Sequence, residues 1–396
     1  ALKLKTSALK CGSFPYLNLE RLMNTAPFYL DYAATTPIKP EVVKAMLQIM
    51  GAHGNASSVH GFGRAARDNV EKARAQLSAR YNAKPSQVIL TSGATEANNT
   101  ALRAFSMHPM IVSAIEHPSV IQTALGLKQP QLINVTTDGV INLNHLEDLL
   151  KANPQAFISI MLVNNETGVI QPVKEAAAMA KKHGAVVHCD AVQGAGRMAV
   201  DFKDLGVDML SLSAHKLGGP QGVGALIVAD NIKLDPFMTG GSQEARRRGG
   251  TENVAGIAGF GVAVSLLDAD ITKQGEWARW RDAFEAKIRG EVPEAMVFGG
   301  GANRVAAISC ISMPGVRNDT QLMAFDLGGF AVSSGAACSS GKVQPSPVLR
   351  AMGVDEVTAT SAIRVSFGWA TTQAQLEKLA QSWLELYQRS SKTKVA

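Results

Sequence analysis

Residues 211–228 read "SLSAHKLGGPQGVGALIV", and the reading of the fold starts there. The apolar run "DMLSLS" (208–213) leads into His215 and Lys216, and a glycine-rich turn follows. The same order recurs from about residue 87 onward. "QVIL" leads into "TSGATEANN", "MIVSAI" into "EHPSV", "AFISIMLV" into "NNETG", and "AVVHC" into "DAVQ". Short apolar runs that alternate with helix-like segments predict an α/β fold with a mostly parallel sheet, buried on both faces. The polar residues fall just after the runs, at the carboxyl edge of such a sheet. Ligands of open α/β sheets bind at that edge.

The character changes after about residue 260. "GIAGFGVAVSLLDA" reads as a connecting helix and "EWARWRDAFEAKIRG" as another. "AAISCISM" and "FAVSS" read as strands, with "NDTQLMAFDL" as a helix between them. In the last helix, Leu376, Leu379, Trp383 and Leu386 recur at helical spacing, which marks packing. The expected organisation is a large domain over residues 28–260 and a smaller α+β C-terminal domain over 261–396. Residues 1–27 are set apart. The first 22 are basic, with no acid before Glu20, and carry no signal-peptide hydrophobic core. They are expected to be an extension or a remnant foreign to the native chain, with a natural start at Met23.

Composition narrows the function classes. The chain has 396 residues, 46% hydrophobic and 18% charged, which suits a globular protein with a sizeable core. No apolar run reaches the roughly 18–20 residues that span a bilayer. The net charge of +6 is spread out, and the densest basic run, "EARRRGG" (244–250), is too short to predict nucleic-acid binding. Cys11, Cys189, Cys310 and Cys338 are far apart with no C-x-x-C pair. That predicts neither a zinc site nor a disulfide scaffold, and it fits a cytoplasmic, reducing location.

An isolated loop lysine is ordinarily just solvated. Lys216 instead sits at a sheet's carboxyl edge beside glycines that allow close backbone approach. An amine there can form a Schiff base with a carbonyl, including that of pyridoxal 5'-phosphate. That cofactor needs an acid at its ring nitrogen, and Asp190, at the end of an apolar run, is the candidate. Gln193 is placed to hydrogen-bond the ring. "SGATEANN" supplies a glycine turn and a helix onset for the phosphate, with Thr95 adding a hydroxyl. Glu96 reads as a helix N-terminal charge, and His188 and Cys189 as packing. Cys338, in "SSGAACSSGKV" (333–343), lies among serines, glycines and alanines, a composition that predicts an exposed loop. Alone it is either a tolerated surface thiol or a nucleophile.

Taken together, these stretches resemble the cysteine desulfurases of the NifS/IscS type, group I, within the class V aminotransferase group of fold-type I pyridoxal-phosphate enzymes. The resemblance rests on "YLDYAATTP", "GNASSVHGFGRAAR", "TSGATEANN", "EHPSV", "NNETGVIQP", "HCDAVQ", "SAHKLGGPQGVGAL", "RRRGGTENVAG" and "SSGAACSSGKVQPSPVLRAMG". It implies the aspartate aminotransferase-like architecture and a set of roles. Lys216 would bind the cofactor covalently and His117 would lie over its ring and assist proton transfer. Asn165, Asp190 and Gln193 would hold the ring, and Ala94, Thr95, Ser213 and His215 the phosphate. Thr251 would reach the phosphate of a neighbouring subunit, which implies a homodimer. Asn55 would lie near the substrate. Arg364 would clamp the substrate carboxylate, with a structural ion pair as the other reading of a strand arginine.

Under the same resemblance, Cys338 is the nucleophile. Its thiolate would attack the sulfur of L-cysteine, leaving alanine and an enzyme persulfide, and a loop of small residues would let it travel. The sulfur would pass to a protein acceptor such as an iron–sulfur scaffold, or toward thio-cofactors or tRNA thiolation. Related enzymes of iron–sulfur assembly carry a longer C-terminal tail for the scaffold. Here "QRSSKTKVA" closes the sequence soon after the last helix, so the acceptor stays open. A selenocysteine lyase or class V aminotransferase is the alternative enzyme. A catalytically inert binding relative is the non-enzyme alternative, and it predicts loss of Lys216, Asp190 or Cys338, all of which are present.

Overall fold

The computed structural model describes residues 28–335 and 345–393. Cys11, Cys338 and the expected N-terminal extension lie outside the described residues. Seven strands form the central sheet: β2 (Val88–Thr91), β3 (Met110–Ser113), β4 (Gln131–Ile133), β5 (Phe157–Met161), β6 (Val186–Asp190), β7 (Met209–Ser213) and β8 (Gly224–Val228). Their spatial order is β2-β8-β7-β6-β5-β3-β4. The pairs β7–β6, β6–β5, β5–β3 and β3–β4 are parallel, and only β8 runs against its neighbours.

The sheet is two-sided because its strands carry apolar residues at consecutive positions, on both faces. Alternate side chains of a strand point to opposite faces. Accordingly Val88, Leu90, Ile158, Ile160, Leu210 and Leu212 enter one buried cluster. Ile89, Met110, Val112, Phe157, Met209 and Leu226 enter a second. Each face is covered by helices returned from the strand ends, as a parallel sheet requires.

The C-terminal part has its own core, with Trp277, Phe284, Ile311, Phe325, Ile363 and Trp383 buried together. Strands β9 (Ile308–Ser312) and β11 (Ala362–Ser366) pair antiparallel there. The short strand β1 (Phe28–Tyr29) also belongs to this part. It pairs in parallel with β10 (Phe330–Ala331), and Leu30 is buried in the same core. Phe28 stacks edge-on against Phe330, which explains why the chain's first described strand docks on its distant C-terminal half. The segment Asp31–Thr36 then leads from that core to the edge of the central sheet, and Thr36 N donates to His215 O. No helix among the described residues is long and apolar enough to cross a membrane.

Candidate active site

A cleft of about 430 Å³ opens at the carboxyl ends of the central strands. Lys216 lies in the turn that directly follows β7 and lines it. Its Nζ donates to Ala33 O at 2.6 Å and to Ala34 O at 2.7 Å. Burial, helped by the nearby Arg364 and Arg197 cations, lowers its pKa to about 7, while Asp31 and Asp190 pull the other way. An amine of that kind is a nucleophile at neutral pH, which an ordinary surface lysine is not.

Asp190 closes β6 and faces the same cleft. Its Oδ2 accepts from Asn98 Nδ2 at 2.8 Å and its Oδ1 from Val192 N at 3.0 Å. Asn98 Nδ2 also donates to Ser119 Oγ at 2.9 Å. Ser119 in turn meets His117: its Oγ lies 2.8 Å from Nδ1, and its N donates to Nδ1 at 3.1 Å. Because Nδ1 accepts, the neutral imidazole carries its proton on Nε2. Desolvation and the neighbouring Lys216 lower the His117 pKa, against the pull of Asp190. One amide side chain thus ties the buried carboxylate to the imidazole.

The third part of the cleft is the head of the helix Ala94–Ala104. Gly93 precedes it with φ 154°, and no atom lies within 4 Å of where a Cβ would stand. The first amides of a helix have no carbonyl ahead of them, so they are open to an anion. Gly93, Ala94 and Thr95 line the cleft here, joined by Ser213 and His215. His215 Nδ1 lies 3.1 Å from Thr35 Oγ1, and burial next to Lys216 lowers its pKa to about 4. Glu96 sits in the same helical turn, as a helix N-terminal charge should. Its carboxylate accepts from Ser92 N and pairs with Arg248 at 2.9 Å. Burial alone would raise its pKa; Arg248 and Ser92 outweigh that and lower it.

A family model described as Aminotransferase class-V matches residues 28–379. The cysteine desulfurase IscS of Dictyoglomus turgidum is 39% identical over 360 residues, covering 88% of this chain and 91% of that one. This chain belongs to the class-V aminotransferase family, in its cysteine desulfurase branch. Among solved structures, the NifS-like protein of Rickettsia africae superposes with a TM-score of 0.85 at 34% identity, over 91% of this chain and 99% of that one. SspA in complex with cysteine superposes at 0.75 with 30% identity, over 86% of this chain and 98% of that one.

The class-V fold brings most of the residues singled out in the sequence to one cleft, but not all of them. Lys216, His117, Asp190, Asn165, Gln193, Ala94, Thr95, Ser213 and His215 line it. Gln193 Nε2 donates to Ala33 O at 2.8 Å, and Gln193 Oε1 accepts from Arg197 Nη1 at 2.8 Å. Arg364, on β11, is buried behind the cleft. Its Nη2 pairs with Asp31 Oδ1 at 2.6 Å, its Nη1 donates to Asn165 O at 3.0 Å, and its Nε has no partner. Asn55 and Thr251 are exposed and stand outside the cleft lining of their own chain. Cys338 lies outside the described residues. On either side of that stretch, Gly335 and Ser346 both approach Glu166: Ser346 Oγ donates to Oε2 at 2.5 Å, and a Cβ on Gly335 would come within 2.9 Å of the same oxygen.

Sequence reading missed Asn98, Ser119, Asp31 and Arg197. Two of them carried a signal. Asn98 follows Ala94 by one helical turn, so it shares the face that starts the anion cradle, and Arg197 follows Gln193 by the same interval. The residues set aside as packing behave so. His188 is fully buried between Ser159 Oγ at 2.8 Å and Ser211 Oγ at 2.9 Å, and burial lowers its pKa to about 4. Cys189 and Cys310 are buried thiols whose pKa burial pushes up. They are poor nucleophiles for that reason.

Proposed function

We propose that this chain removes sulfur from L-cysteine with the help of pyridoxal 5'-phosphate, giving L-alanine and a persulfide on Cys338. The observation that carries this reading is the Lys216 amine, held near pKa 7 in the same cleft as Asp190 and an open helix head. That donor set fits the cofactor group by group. Lys216 suits its aldehyde, Asp190 its ring nitrogen, and the amides of Gly93–Thr95 with Ser213 and His215 its phosphate. Asn165 and Gln193, which line the same cleft, would hold the ring. When bound, the cofactor supplies an electron sink for bonds at the substrate's carbons.

The chain's own residues do the rest. Lys216 is largely unprotonated above pH 7, so it can bond a carbonyl and later release it. His117 presents Nε2 to the cleft and is oriented through Ser119 and Asn98, which suits a group that moves a proton. Arg364 is the candidate for the substrate carboxylate. Its Nη1 and Nη2 each make one hydrogen bond, to Asn165 O and to Asp31 Oδ1, so each keeps an N–H for a second carboxylate. Cys338 attacks the substrate sulfur as a thiolate. The Cβ–S bond breaks, its electron pair stays with the substrate carbon, and protonation completes alanine. The sum is cysteine plus enzyme thiol giving alanine plus enzyme persulfide.

Thr251, exposed and outside the cleft of its own chain, supports a homodimer in which a second copy brings it to the neighbouring phosphate, and Asn55 is the candidate residue near the substrate. A protein acceptor, such as an iron–sulfur scaffold, then takes the sulfur. Borohydride reduction of the pyridoxal-phosphate-loaded protein followed by peptide mapping tests the cofactor site. The pyridoxyl group is expected on Lys216, and finding it on another lysine overturns the assignment. Cys338→Ser is expected to keep the cofactor's colour and to release no sulfide from L-cysteine. Sulfide release at the wild-type rate would remove Cys338 from the reaction.

A further inference from the structure

Strand β2 is the edge of the central sheet and pairs on one side only, with β8. The outer N–H and C=O groups of an edge strand lack sheet partners. Here two side chains stand in for the missing strand. Arg74 Nη1 donates to Val88 O at 2.8 Å, and Glu244 Oε2 accepts from Leu90 N at 2.9 Å. Arg74 and Glu244 also bind each other through two hydrogen bonds, at 2.7 and 2.8 Å. The ring they close fixes β2 at Leu90, just before the chain becomes the anion cradle at Gly93.

A second tie acts on the other side of that cradle. Arg248 donates to both oxygens of Glu96, at 2.9 and 3.1 Å, and Glu96 receives Ser92 N at 2.7 Å. Glu244 and Arg248 belong to one turn, and its backbone is unusual. Glu244, Ala245 and Arg246 have φ of 47°, 55° and 67°. Three successive non-glycine residues in the left-handed region persist only where surrounding contacts over-determine them. Such strain is a reason to look for a task. Both ends of this turn grip the segment that shapes the helix head.

We propose that the strained turn Glu244–Arg248 is the positioning element of the phosphate cradle. Glu244, locked by Arg74, sets the β2 edge. Arg248, locked on Glu96, sets the first helical turn and balances a carboxylate that would otherwise repel the phosphate. The inference rests on the reading that a phosphate occupies the cradle.

The test compares two ligands that differ only in the phosphate. Dissociation constants for pyridoxal phosphate and for pyridoxal are measured with wild type, Glu244→Gln and Arg248→Gln, and circular dichroism checks that each variant is folded. Pyridoxal phosphate is expected to bind each variant about tenfold more weakly, the scale of one charge-assisted hydrogen bond. Pyridoxal is expected to stay within about twofold of wild type, and Arg248→Lys, which keeps the charge, to recover part of the loss. Equal losses for both ligands would make the turn a general stabiliser and overturn the proposal. So would unchanged binding of pyridoxal phosphate. If Glu244→Gln fails to fold, Arg248→Gln, further from the sheet, decides. A wild-type protein that takes up no pyridoxal phosphate overturns the functional reading as well, so the two failures are distinguishable.

Discussion

Two buried arginines, Arg74 and Arg364, pair with carboxylates in this molecule, and they do so differently. Arg74 is saturated. Its Nη groups hold Glu244 twice and Val88 O once, and its Nε holds Glu71. Arg364 touches Asp31 with one nitrogen and Asn165 O with another, and its Nε is buried without a partner. The first pair closes the sheet edge and lines a separate surface cleft; the second lies close enough to Lys216 for its charge to act on that amine, with donors to spare. Full satisfaction is what a structural ion pair needs to repay its desolvation. An unsatisfied buried donor is costly, and its natural explanation is a ligand that completes it. The number of donors already used separates a brace from a receptor better than burial does.

The largest expected effect tests the brace. Arg74→Leu leaves the Glu244 carboxylate buried without its hydrogen-bonded ion-pair partner, with only the more distant Arg247 and Arg248 cations to balance it, which should cost about 3–5 kcal/mol of stability. Urea unfolding monitored by circular dichroism measures it. Arg364→Leu leaves Asp31 partly open to solvent, so its loss should be nearer 1.5–3 kcal/mol, about one hydrogen bond to a charged group. If both variants unfold alike, donor saturation does not distinguish the two sites.

The next effect reverses the ranking. With pyridoxal phosphate saturating, Arg364→Leu should lower kcat/KM for L-cysteine by about 10- to 150-fold, from a lost interaction of about 1.5–3 kcal/mol. Arg74→Leu, assayed at a temperature where it is folded, should keep kcat/KM within about threefold of wild type, since nothing in the reaction touches it. Steady-state alanine production measures both. A deep loss in Arg74→Leu with an intact Arg364→Leu would exchange the two roles.

The same contrast explains what could be read in advance. The strands of the central sheet were legible because each is a short apolar run, and the polar residues at their ends marked the cleft. Lys216, Asp190 and the "SGAT" turn each follow such a run. The edge clasp was not legible. Arg74 reads as one more charge on the polar helix Gly61–Arg80, and Glu244 as part of a basic loop. They lie 170 residues apart, and only the tertiary fold joins them. The run Arg246, Arg247, Arg248 read equally well as a solvated face, and no local pattern tells that Arg248 turns inward to Glu96. Likewise Asp31 is unremarkable until β1 carries it across to β11. Residues from 28 onward were expected in the large domain, but Phe28 and Leu30 find their apolar partners in the C-terminal core.

The smallest effect is the sharpest, because it has a sign. The rate at which cofactor-free protein captures pyridoxal phosphate depends on the neutral form of the Lys216 amine, so it should rise with pH and level off above a midpoint near 7. Arg364 is among the groups that lower that pKa: its cation disfavours the ammonium form. Arg364→Gln removes the cation, so the ammonium persists to higher pH and the midpoint should move up. Asp31 acts the other way, since its carboxylate favours the ammonium. Asp31→Asn should therefore move the midpoint down, although the two residues form one ion pair. Arg74 does not figure among the charges acting on Lys216, so Arg74→Lys should leave the midpoint in place. Stopped-flow absorbance across pH 6 to 9 gives all three midpoints, a range chosen to bracket a group near 7 by about a unit or more on either side. Movement in the same direction for Arg364→Gln and Asp31→Asn would mean that the pair acts on Lys216 through the shape of the cleft and not through its charges.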